Sequence, residues 1–85
     1  MQKIINLISR ANEEIDVYST AIKACAADPE NEGFEEKSER AFAAYWNTCD
    51  EIADEIVLLS NGKIGKMAAL KLAFGQRKHI LKVLG

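Results

Sequence analysis

Ile4, Ile8, Ala11, Ile15, Tyr18, Ile22 and Cys25 recur in alternating steps of four and three. Only a helix packed lengthwise against another helix puts such a series on one buried face. Ile5 and Leu7 widen the stripe at its start. The series predicts a helix over about 2–27. Asp28-Pro29 stops it, because proline disfavours helix in the residue before it. A second series, Phe42, Tyr45, Cys49, Ile52, Ile56 and Leu59, predicts a helix over about 34–60. Glu35, Glu36 and Glu39 stand in its early turns, where the helix dipole favours negative charge. Residues 28–33 join the two helices. A link that short forces an antiparallel hairpin, with Gly33 as the expected point of reversal.

The chain changes character after Ser60-Asn61-Gly62, a stop and turn signal. Asn61 is expected to cap a helical segment over about 62–74. Ile64, Met67, Ala68, Leu70, Leu72, Ala73 and Phe74 point almost all round it, so it should be covered on more than one side. A break near Gly75 leaves a last segment over about 76–84, carrying Ile80, Leu81, Val83 and Leu84. No run reads as a strand. The expected fold is all-α, a single domain over 1–85. It is a long antiparallel hairpin plus one bent or two short C-terminal helices, a three- to four-helix bundle. Eighty-five residues leave no room for a large catalytic scaffold and bury a modest share of the surface. The long stripes outrun one short covering segment. A dimeric four-helix-like assembly and a compact monomer therefore both fit the pattern.

Net charge is −2, but it is the sum of two opposed blocks. Residues 1–60 carry thirteen acids against five bases, a net of −8. Residues 61–85 carry no acid and six bases, Lys63, Lys66, Lys71, Arg77, Lys78 and Lys82. Three uses fit that split. The basic segment can lie against the acidic hairpin, it can dock a protein, or it can track phosphates. A nucleic-acid interface would draw on those same six residues. Against it, 64–74 lacks the polar base readers of a recognition helix, and the acidic hairpin repels a duplex.

Constellations for chemistry are sparse. Glu13-x-x-Asp16, Glu36-x-x-Glu39 and Glu51-x-x-Asp54 each set two carboxylates on one helical face. The last two pairs resemble the ExxE and ExxD motifs of the all-helical nucleotide pyrophosphohydrolases, which implies magnesium-dependent hydrolysis. In that family the motifs lie on separate, facing helices. Here both lie on one helix, about 22 Å apart along its axis, too far to share a metal. Glu13 and Asp16 are better placed to meet Glu51 and Asp54 across the hairpin. His79-x-x-Lys82 resembles a phosphotransfer histidine followed by lysine, yet Val83 stands where that motif has glycine. His79 has no acidic neighbour in sequence, and it is the only histidine. Cys25 and Cys49 lack a nearby base and read as small buried hydrophobes.

The chain therefore reads as a non-enzymatic protein-binding module with no cofactor and no metal. It resembles small phage- or plasmid-borne inhibitors, antitoxins and immunity proteins in size and class, a likeness that rests on no motif. Expected contact residues are Trp46, Lys63, Lys66, Lys78 and Lys82. A protein partner, or a second copy in a homodimer, comes first; nucleic acid comes second. The N-terminus carries no signal-peptide or membrane-span pattern, so the expected location is cytoplasmic.

Overall fold

A computed structural model describes all 85 residues. Its elements are α1 (Gln2–Ala27), α2 (Glu32–Leu59), α3 (Lys66–Gly75), a 3-10 turn (Arg77–His79) and α4 (Ile80–Leu84). There is no strand, and the architecture is the expected all-helical bundle. The long hairpin of α1 and α2 sets its shape, 47 × 19 × 17 Å. No helix is long and apolar enough to cross a membrane.

α1 ends where Asp28-Pro29 predicts. α2 begins two residues earlier than its apolar pattern implies. Asn31 is the N-cap, and its side chain accepts a hydrogen bond from the Phe34 N–H at 3.2 Å. Such a cap satisfies one of the free amides of the first turn. Gly33 therefore lies inside that turn, and 28–31 make the reversal. The apolar series misses this start because its first member falls well after the cap.

Asn61 plays a different part from the one its sequence context implies. Its N–H donates to the Leu58 carbonyl at 3.1 Å, and the Gly62 N–H donates to the Val57 carbonyl at 2.9 Å. That pair of bonds is a Schellman motif, which closes a helix. Asn61 adopts φ 56° and Gly62 φ 79°, the left-handed region that asparagine and glycine tolerate best. Asn61 thus ends α2 instead of opening α3. Residues 63–65 cross over, tied by the Ile64 N–H donating to Ser60 Oγ at 3.1 Å. α3 starts at Lys66 after Gly65. It ends at Gly75, where the break was expected, and two short segments follow.

The core is at one end of the hairpin. Its eleven apolar members are Ile4, Leu7 and Ala11 from α1, Tyr45, Cys49, Ile52, Ala53 and Ile56 from α2, Ala69 and Ala73 from α3, and Ile80 from α4. None lies between residues 12 and 44. The stripe of α1 continues past that point with less cover: Ile15 packs against the core's edge, Tyr18 and Cys25 are half-buried, and Ile22 is exposed. The reason is length. α2 has 28 residues and α3 only 10, so the C-terminal layer roofs the base of the hairpin and leaves its loop half bare. α3 itself is covered on one side, with Met67 72% exposed. The expectation of cover on more than one side is not met within a single chain.

Candidate interaction surface

Arg77 fastens the layer to the hairpin. Its Nη1 donates to the Tyr45 hydroxyl at 2.6 Å and to the Ala73 carbonyl at 2.8 Å, while Nε donates to Asn12 Oδ1 at 2.9 Å. One planar guanidinium so joins α1, α2 and the C-terminal end of α3, where free carbonyls favour a cation. It also sits 5.1 Å from the centroid of the Tyr45 ring. Burial pushes the Tyr45 hydroxyl above its ordinary pKa, and the bond from Arg77 partly opposes that rise.

Lys66 is also engaged within the chain. It bridges Asp54 and Asp50 on α2, the latter at 2.9 Å. Hydrogen bonds to Asp54 and then to Asp50 raise its pKa above the ordinary lysine value. Part of the opposed charge is therefore an internal seam between α3 and α2. Lys63, Lys71, Lys78 and Lys82 are exposed and form no ion pair. Of the six bases singled out from sequence, two hold the fold and four remain available.

Trp46 is 42% exposed and leans on Phe74, with ring centroids 5.8 Å apart. Tyr45, its neighbour, is buried, and the helical turn of about 100° per residue carries Trp46 to the edge of the packed face. Trp46 thus stands where the layer stops, between the roofed and bare halves. Next to it on the bare side, Phe42 is 44% exposed and packs on Tyr18 at 5.3 Å between centroids. The opposite face of the loop half holds an apolar hollow of about 470 Å³, lined by Val17, Ala21, Ala24, Phe34 and Ala41 with Lys37 and Arg40. The sequence pattern placed Tyr18, Phe42 and Tyr45 on the packed stripes and none of the residues lining the hollow. It carried no signal of how far the roof extends.

The acidic pairs are not gathered. Glu51 accepts from Arg10 at 2.8 Å, and Asp54 is held by Lys66. No group of three or more His, Cys, Asp or Glu is assembled to hold a metal. His79 is exposed in the 3-10 turn. Cys49 is fully buried, and burial pushes its thiol up, away from the reactive thiolate. Cys25 is half-buried, and both thiols are free. A disulfide-exchange reagent should therefore titrate Cys25 in the folded protein and Cys49 only after denaturation, counted as one thiol and then two. Because the folded state raises the Cys49 pKa, stability should also fall as pH climbs above the ordinary thiol range.

Comparison with protein-family models, with curated proteins and with solved structures finds no match.

Proposed function

We propose that the chain is a non-enzymatic protein-binding module, an inhibitor or regulator acting through protein–protein contacts. One observation carries this reading: all eleven core residues lie at the base of a hairpin whose loop half keeps apolar side chains exposed on both faces. Apolar side chains left exposed beside an apolar hollow suit an interaction site, and a small domain gains stability by covering them. The two free cysteines support a reducing cytoplasm as its compartment.

The test is quantitative capture from the native host with the wild type, Phe42→Asp and Val17→Asp, each checked for unchanged helicity by circular dichroism. A protein held by the wild type and released by either substitution supports the reading, a second copy of the chain included. An identical bound set for all three proteins rejects it.

A second reading has its own observation. Lys63, Lys71, Lys78 and Lys82 are free of internal partners and lie on or beside the layer. A nucleic acid held by them would bind with an affinity that falls steeply as salt rises. Fluorescence anisotropy with single- and double-stranded probes at low salt decides it, and no shift with either probe removes it.

A further inference from the structure

We propose that the occupant of the bare loop half is the C-terminal layer of a second copy, docked antiparallel so that each copy roofs the other's hairpin. The proposal rests on the protein-binding reading above and names its partner.

The first support is length. Arg77 touches Asn12 on α1 and Tyr45 on α2, which marks where the layer stops. Residues 45–59 of α2 lie under it and 32–44 lie beyond it, two stretches of nearly equal length. A second layer, entering from the loop end, fits the vacant half and meets the first end to end.

The second support is chemistry on both sides of the contact. The receiving face presents Ile22, Phe42 and Trp46, each more than two-fifths exposed. The layer presents Met67, Leu81 and Val83, exposed by 72%, 43% and 52%. An α3 that is apolar nearly all round is what a helix between two hairpins requires. Trp46, at the junction of the two layers, falls near the middle of the contact, where tryptophan contributes most.

Charge selects the direction. Residues 13–44 carry nine acids against three bases, a net of −6. The layer region offers the four free lysines Lys63, Lys71, Lys78 and Lys82. Glu39 borders the Tyr18–Phe42 contact, and Glu35, four residues earlier, shares its side of α2. An antiparallel pair sets these acids beside the partner's lysines. A parallel pair would set −6 beside −6. The antiparallel arrangement is also self-complementary under a two-fold axis, so it closes at two copies and does not propagate.

Light scattering behind size exclusion, with sedimentation over a range of concentrations, tests this on the intact chain. The wild type should run at twice its 9.4 kDa mass at micromolar concentration and dissociate as salt rises. Two charge-reversed variants sharpen the test: Lys78→Glu with Lys82→Glu on the layer, and Glu35→Lys with Glu39→Lys on the hairpin. All four positions are exposed, so helicity should be unchanged. Each variant alone should be monomeric, with self-association weakened at least about tenfold. Mixed together they should form a heterodimer, because each then meets its opposite sign twice. A wild type that stays monomeric at several hundred micromolar overturns the proposal. So does a reversed variant that dimerises alone as tightly as the wild type, or a mixture that stays monomeric. If self-association fails while Phe42→Asp still releases some other protein, only the choice of partner falls; if Phe42→Asp and Val17→Asp release nothing either, the protein-binding reading falls with it.

Discussion

Ile52→Ala is expected to cost about 2–5 kcal/mol, the usual price of truncating a fully buried isoleucine to alanine. Ile52 has no exposed surface and lies among Cys49, Ala53 and Ile56 in the core. A protein of this size is stable by only about 5–15 kcal/mol in total, so the loss is a large share of the whole. The same chemical change at Ile22, which is 43% exposed in the bare half, should cost less than about 1 kcal/mol in the monomer. Urea denaturation followed by circular dichroism, at concentrations below self-association, measures both. Equal losses at the two positions would mean that the hairpin is packed evenly along its length, against the core distribution described above.

Arg77→Ala is expected to cost about 2–3 kcal/mol, in line with the loss of hydrogen bonds to a charged group. The substitution leaves the Tyr45 hydroxyl with only a 3.4 Å bond to the Phe74 carbonyl, and it strips a cation from the end of α3. Arg77→Lys should recover only part of the loss. A single ammonium cannot span Asn12, Tyr45 and Ala73 as the guanidinium does. Trp46, the only tryptophan, packs on Phe74 beside this joint, so its emission reports directly on the layer. A red shift at urea concentrations too low to melt the hairpin is the expected sign that the layer has loosened first. An unchanged midpoint and unchanged emission would show that the joint contributes nothing.

Features set by local chemistry were legible in the sequence. Asp28-Pro29 stops α1 for a covalent reason, and Gly75 marks the end of α3. The alternating stripes gave the hairpin and its inward faces. Helix starts were less legible, because a cap is one polar residue and leaves no periodic trace: Asn31 opens α2 ahead of its first stripe member, and Asn61 serves the end of α2 when either helix could have claimed it. The stripe also shows which face is apolar without showing what lies over it. Ile4 and Ile22 both belong to the same stripe, yet one is sealed and the other open. The charge division at residue 60 was visible, whereas its use was not. Whether Lys66 meets Asp50 and Asp54, or Arg77 meets Tyr45, depends on how the layer folds back, which no local spacing encodes.

The core joins Ile4, near one end of the chain, to Ile80, near the other. A polypeptide made from its N-terminus thus has no finished core until Ile80 has been added. Before that moment α1 and α2 can pair only along a half-open seam. Until residues 66–84 have emerged from the ribosome, the chain holds only an unroofed hairpin. In the arrangement proposed above, completion of this chain's own core and appearance of the layer face that recruits its twin would fall at the same point in synthesis.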